Sequence, residues 1–395
     1  MMKKILSYLD LNQIGLLELI FAFYPILSGY AYGALRMDLL VLLVMDVIVL
    51  LRPRKKWLSC SPLLWLMFFI LFHEFILFFY LGTDRSYLLN TIIGYFILFI
   101  SIFIIVPALN YKKLVGSLMW VGILSAGGIL YHFYIIQSGG VCYPIKLPFL
   151  PDLAKDTRLF EEISRPTSFY WEPAAFVTYM MVPLFISLYQ RKFLLIGGII
   201  FVMFLSTSST GILLSLIMCG IYILTQKVKL RYKFLLLLLA GIMVWFLLRS
   251  EIFDMGVTKI QKIELDNTSR LINGPTLILD MPVEHLITGM PEANVMDYGR
   301  INPLISNLLL TRSGDIFVSA FWLVLAKFGI IGLFLYLNLY FRLIKSNLKL
   351  LPYGLVLIIA MFFQGFMFSA IFAFQAIFMI AFKQSIPTNF DVKDS

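Results

Sequence analysis

Runs of roughly 20 apolar residues recur along almost the whole chain, and they stop at two long polar segments, residues 137–171 and 249–315. A helix needs about that length to cross the hydrocarbon core of a bilayer, where every backbone N–H and C=O must be satisfied within the segment. The runs fall near 12–33, 35–51, 58–81, 88–108, 114–136, 172–190, 193–206, 210–226, 233–248 and 316–342. A last stretch, 351–382, reads as one long helix or two short ones. The pattern predicts an all-α polytopic transmembrane helical bundle of about 11–12 spans, a single integral membrane domain over residues 1–395. A hydrophobic fraction of 61% against 14% charged residues excludes an ordinary soluble domain.

The formal net charge of +10 invites a nucleic-acid partner, but its distribution argues against one. Alternate connections carry Lys3 and Lys4; Arg52, Arg54, Lys55 and Lys56; Lys112 and Lys113; Arg191 and Lys192; Lys227, Lys229, Arg231 and Lys233; Arg342, Lys345 and Lys349. Short connections on the other face carry only Arg36 and Arg85. The positive-inside bias thus puts the basic connections in the cytoplasm and makes both long segments extracytoplasmic loops. Met-Met-Lys-Lys resembles a short signal n-region, but Glu18 interrupts the apolar stretch after it, so the first span is expected to stay as an anchor. Cys60 and Cys219 fall in predicted spans and only Cys142 in a loop, so no intrachain disulfide is expected.

Each loop is too short and too polar for a core of its own. In the larger one a helical stretch, Ser269 to Asp280, is predicted to break at Gly274-Pro275. Ionisable residues inside predicted spans (Glu18, Asp38, Asp46, His73, Glu74 and Lys327) should face protein or water, because a central charge costs about 2.5–3.5 kcal/mol on insertion scales. Asp46 has Arg52 close by in sequence and Asp38 has Arg36, while Glu18 and Glu74 have no evident partner. Such residues would serve a transporter as ion or proton relays.

Where the first loop re-enters the membrane stands Arg165-Pro-Thr-Ser-Phe-Tyr-Trp-Glu172-Pro173. Proline suits a first helical position, and a carboxylate before it offsets the helix dipole. The same carboxylate at the lip of a cavity would take a proton from a hydroxyl. The outward arginines Arg158, Arg165, Arg249, Arg270, Arg300 and Arg312 present planar guanidinium forks suited to phosphate oxygens, or pair with nearby acids. Absent from the sequence are a zincin spacing at His73-Glu74, an Asp-x-Asp pair, a Walker loop and a Cys/His metal cluster, so catalysis is expected to be metal-independent and to use no cofactor.

Four patterns occur in order along the chain: Arg165…Glu172-Pro-Ala-Ala-Phe at the head of a span; Ser206-Thr-Ser-Ser-Thr-Gly211 between two short helices; Asn267-Thr-Ser-Arg270 with Leu286-Ile-Thr-Gly289; and Phe328-Gly-Ile-Ile-Gly332 in the following span. Together with the span number and loop order, they resemble the bacterial O-antigen and capsular polysaccharide polymerases of the Wzy type, in the superfamily that includes the O-antigen ligases. The resemblance implies a glycosyltransferase of the bacterial inner membrane. It would transfer a growing glycan from undecaprenyl diphosphate to a hydroxyl of an incoming lipid-linked repeat unit, with a chain-length regulator as a further partner that the resemblance allows. Arg165, Arg270 and Arg312 would hold the diphosphate, and Glu172, His285 or Asp315 would act as the base. Phe169, Tyr170 and Trp171 would stack on sugars or anchor the interface, the anchor being favoured. Two departures stand out: Ser209 occupies a place where the family often has arginine, and Val318 a place where ligases have histidine. The second favours polymerase over ligase. An O-antigen ligase, a secondary transporter, a polysaccharide exporter and a scaffolding membrane protein are the alternatives.

Overall fold

A computed structural model describes residues 14–32, 35–52, 58–80, 85–148, 150, 165–226, 229, 231, 233–234, 241, 269–301, 318–365 and 367–385. Nearly all of the predicted span 233–248, and the loop residues Arg158, Arg249, Arg312 and Asp315, lie outside them. Four helices are long and apolar enough to cross a membrane: α3 (Ser61–Tyr80), α4 (Arg85–Ile105), α5 (Tyr111–Gln137) and α12 (Ala320–Ser346). Between and around them run α1 (Leu16–Leu27), α2 (Met37–Leu50), α6 (Pro173–Tyr189), α7 (Phe193–Leu205), α8 (Ser209–Thr225), α9 (Ser269–Asp280), α10 (Val283–Thr288), α11 (Glu292–Ile301), α13 (Leu351–Ala360) and α14 (Ala370–Ser385). The chain is thus a helical membrane protein, and several of its apolar helices are shorter than a full span.

Among the described residues of the first predicted span, 12–33, the helix covers Leu16–Leu27, twelve residues with a rise of about 18 Å. The chain after it turns back through a two-residue antiparallel ladder, Ala31 opposite Arg36 and Tyr32 opposite Leu35. The stretch 351–382 resolves into two short helices, α13 and α14, and the connection between them has a bonding role. The Met361 and Gln364 carbonyls accept the N–H groups of Phe321 (3.0 Å) and Ala320 (2.8 Å). Two amides that the first turn of α12 cannot satisfy within itself are capped in this way.

The core is built around α6 and α14, which are buried on nearly every side. A helix apolar all round belongs inside a bundle, whereas a one-sided stripe belongs at its surface. Aromatic contacts dominate: Tyr179 stacks on Phe374 at 5.3 Å, and Phe368 meets Tyr95, Phe99, Phe328, Tyr336 and Phe372 at 5.2–5.6 Å. Thr178 in the second turn of α6 donates to Gln364 Oε1 at 2.8 Å, and Gln364 also caps α12. The starts of α6 and α12 therefore lie at the same end of the bundle.

Every acid inside the predicted spans has a contact. Glu18 Oε1 accepts the Asn110 backbone N–H at 2.7 Å, just before α5. Asp38 pairs with Arg36 at 2.5 Å, and Glu74 with Lys327 at 3.2 Å. Asp46 does not take Arg52 as its hydrogen-bond donor as sequence proximity predicted; it accepts from Ser101 Oγ at 2.6 Å. Helix geometry explains the change, because Asp46 is buried whereas Arg52 lies past the exposed end of α2.

Candidate functional site

Residues 165–172 form a tight turn leading into α6, and Arg165 reaches from it to the hydroxyl-rich turn between α7 and α8. Its Nε donates to Thr207 Oγ1 at 3.3 Å and its Nη2 to the Thr207 carbonyl at 3.1 Å. Two predicted patterns 42 residues apart thus meet through one guanidinium. Ser208 caps α8, its side chain accepting the Gly211 N–H at 3.3 Å. Thr207 (φ 56°) and Ser168 (φ 57°) both lie in the left-handed region, which non-glycine residues seldom occupy and β-branched ones least of all. Such strain persists where surrounding contacts over-determine it, and it clusters at functional sites.

The contacts that hold the turn are polar. His132, in the last turns of α5, accepts the N–H groups of Thr167 (3.2 Å) and Ser168 (3.3 Å) on Nδ1, so the ring proton sits on Nε2. The Ser168 carbonyl accepts from Ile145 N at 2.8 Å, and Cys142 Sγ donates to the Arg165 carbonyl at 3.3 Å. His132 is a site residue that sequence reading passed over; the signal was a polar ring placed among apolar residues near a span end.

Glu172 stands at the N-cap of α6 with extended backbone (φ −151°, ψ 157°), directly before Pro173. Its carboxylate makes no capping bond to the first-turn amides, so only the dipole part of its expected structural role applies. Of the neighbouring aromatics, Tyr170 is neither interface anchor nor sugar platform. It is fully buried, 5.8 Å from Phe176 and 5.6 Å from Tyr179, with its hydroxyl 3.5 Å from Ser125 Oγ. Phe169 and Trp171 are half-buried.

The second polar segment is described over 269–301, where α9, α10 and α11 pack on the first half of α12 around a small core of Leu277, Met281, Met290, Val295, Val318 and Leu323. Helix α9 is continuous through Gly274-Pro275, where a break was predicted. Gly274 fits here because the Trp322 ring occupies the space where a Cβ would stand. The turn after α10 then docks onto α12 backbone to backbone, with Met290 N–H donating to the Ala326 carbonyl at 3.1 Å. Gly289 (φ 79°) leaves room for the Lys327 carbonyl, and Gly329 (φ 66°, ψ −174°) for the Ile287 carbonyl. At Gly329 the helix is interrupted. Phe328-Gly-Ile-Ile-Gly332 is therefore a break that receives the turn, where the sequence predicted one uninterrupted span.

Beneath this docked turn lies a polar cluster that motif reading did not assemble. Lys327 Nζ is 3.2 Å from Glu74 Oε1 and donates to the Tyr95 hydroxyl at 2.9 Å, with Lys327 and Glu74 both fully buried. Glu74 Oε2 has no hydrogen-bond partner among the described residues. His73 Nε2 lies 2.7 Å from the Thr288 carbonyl, which ties α3 to the turn. Glu74 and Lys327 were both visible as charges inside spans; the rule that such charges pair with one another is the signal that joins them.

The remaining predicted residues are dispersed. His285 lies on α10 and lines a cavity of about 390 Å³ with Pro282, Met290, Asn294, Asp297 and Tyr298. Arg270 falls in the first turn of α9, with its side chain outside the described residues, as are Arg312 and Asp315 altogether. The described residues bring an arginine to a strained hydroxyl-bearing turn, and the segment that carries the arginine ends on Glu172 at the head of the most buried helix. That set can bind an anion and move a proton. The chain matches no family model, no curated protein and no solved structure.

Proposed function

We propose that the chain is a polysaccharide polymerase of the Wzy type, a metal-independent glycosyltransferase acting on undecaprenyl-diphosphate-linked repeat units at the outer face of the bacterial inner membrane. The observation that carries this reading is the Arg165–Thr207 contact. The family pattern often places an arginine beside the hydroxyl-rich turn where this chain has Ser209, and Arg165 brings a guanidinium to that turn from the re-entry motif.

In the reaction, the bond between the donor sugar's anomeric carbon and the diphosphate oxygen breaks, and a glycosidic bond forms to the acceptor hydroxyl. The proton of that hydroxyl passes to a base, and the diphosphate leaves as an anion. Arg165, with Arg270 and Arg312, would neutralise the leaving group, the kind of preorganised charge that is usually the largest single catalytic contribution. Glu172, His285 and Asp315 are the bases to choose among, and Glu172 shares its turn with Arg165. The segment carrying α9 to α11 would hold the two lipid-linked substrates in register.

Arg165→Ala should abolish long glycan chains while single repeat units still reach their carrier, and Arg165→Lys should rescue poorly because a point charge lacks the fork. A normal chain-length distribution in the Arg165→Ala variant at matched protein level sinks the assignment.

A second reading, a secondary transporter, has one observation in its favour: α12 is interrupted at Gly329 beside the buried Lys327–Glu74 pair, as ion-coupled transporters interrupt helices at their binding sites. Substrate-independent proton movement through reconstituted protein, lost in Glu74→Gln, would favour that reading over polymerisation.

A further inference from the structure

At the end of the bundle opposite the Arg165 turn, a polar cavity of about 570 Å³ opens between three helix ends. Its walls are the last turns of α12 (Asn338, Arg342 and Lys345), the start of α3 (Ser61 and Trp65) and Lys383 near the end of α14. Among the described residues no acid lines it, and the three cations form no ion pair.

The ordinary role of basic residues at helix C-termini accounts for only part of this charge. Lys345 and Lys383 sit in the last turns of α12 and α14, and each helix end there presents about half a negative charge. Two such ends offset about one of the three positive charges, and the α3 N-terminus adds about half a positive charge back. A net excess of about two and a half positive charges faces the cavity.

A second feature is continuous with the first. Ser61, Trp65, Phe68, Phe72 and Phe75 recur every third or fourth residue on α3 and so share one face. The four aromatics on it are half to two-thirds exposed. Phe68, Phe72 and Phe75 also form one wall of an almost wholly apolar groove of about 390 Å³, whose other wall is Ile92, Ile93 and Phe96 of α4. Trp65 joins the two spaces, lining the basic cavity one turn before Phe68 enters the groove.

A small soluble anion would use the cavity and leave the groove idle, and an uncharged lipid would do the reverse. We propose that the two together bind one anionic membrane lipid. Its phosphate lies among Arg342, Lys345 and Lys383, and one hydrocarbon chain runs over Trp65 into the groove between α3 and α4. This site is separate from the Arg165 turn, and it stands whether or not the chain is a polymerase.

Native mass spectrometry of the full chain, offered equal amounts of phosphatidylglycerol and phosphatidylcholine, tests the proposal. Each basic side chain beside an anionic headgroup strengthens binding about fivefold. Wild type should therefore prefer phosphatidylglycerol strongly, and R342A/K345A/K383A should lose on the order of a hundredfold of that preference. The charge-keeping R342K/K345R/K383R variant should retain it, which separates charge from folding. F68A/F72A should weaken phosphatidylglycerol binding while leaving the headgroup preference intact. Equal uptake of the two lipids by wild type, or an unchanged preference in the alanine variant, overturns the proposal. Displacement of the lipid by millimolar inorganic phosphate assigns the cavity to a free anion, and unchanged binding in F68A/F72A removes the groove; either result also overturns it.

Discussion

Around Arg165 most of the hydrogen bonds involve a polar side chain, whereas Gly289 is seated on α12 backbone to backbone. The guanidinium holds Thr207 by two neutral acceptors, and the turn beneath it is carried by His132, Ile145 and Cys142. The 283–290 turn instead sits in a notch of α12 that only glycine leaves open, above a fully buried ion pair. Under the proposed reading the first arrangement would exchange partners, an incoming phosphate oxygen replacing a threonine oxygen on the guanidinium and so trading one charge-assisted hydrogen bond, worth roughly 1.5–3 kcal/mol, for another. The second cannot move without re-forming a helix. One region is suited to binding and release, the other to holding a loop in place.

The largest expected effect lies on the rigid side. Lys327→Met leaves Glu74 buried without its counter-charge and should cost about 3–5 kcal/mol, read as a fall in thermal stability of the detergent-solubilised protein. Adding Glu74→Leu should restore most of that loss. A single variant as stable as wild type would end the contrast between the two regions.

Next comes Gly329→Ala, which places a Cβ against the Ile287 carbonyl at a positive φ. Strain and overpacking together should cost on the order of 3 kcal/mol. Limited proteolysis should cut the 283–290 turn faster than in wild type; equal cutting rates would show that the notch is not what holds the turn.

On the exchangeable side, stability and activity should separate. Glu172→Gln keeps the size of a side chain that makes no capping bond, so stability should change by less than about 1 kcal/mol. If Glu172 is the base, polymerisation of purified lipid-linked units should fall about 10²–10⁴-fold. A near wild-type rate passes that role to His285 or Asp315.

The smallest effect has the opposite sign. Ser168 is fully buried, holds φ 57° and has a hydroxyl without a hydrogen-bond partner among the described residues. Ser168→Gly relieves the backbone and removes that hydroxyl, and should raise stability by about 1 kcal/mol. If activity falls as stability rises, the strain at this turn serves to position Arg165.

Helix positions were legible because apolar runs report burial directly. Tyr111–Gln137 and Pro173–Tyr189 fall within a few residues of their expected limits. The interruption of α12 was not legible, since Gly-Ile-Ile-Gly reads equally well as close helix packing and only the arriving carbonyl of Ile287 distinguishes them. Arg165 and the hydroxyl-rich turn were each visible as motifs, but their contact depends on how α6, α7 and α8 pack. Glu172 has the extended backbone usual at an N-cap, yet its carboxylate makes no bond to the first-turn amides, an outcome that residue type and position before proline do not reveal. Tyr170 was misread because an aromatic beside tryptophan at a span end resembles an interface belt, yet Ser125 on α5 gives its hydroxyl a buried neighbour.

The docking of Met290 on the Ala326 carbonyl also fixes a depth. Ala326 lies about 9 Å along α12 from its first residue, so the turn enters the layer that this helix crosses. Irregular backbone survives there only where protein covers it. The Gly289 N–H goes to His285, the Met290 N–H to α12 and the Thr288 carbonyl to His73. Lipid is displaced there by protein whose interior is far less polarisable than water, so a charge brought to that level is attracted or repelled several times more strongly than at the surface.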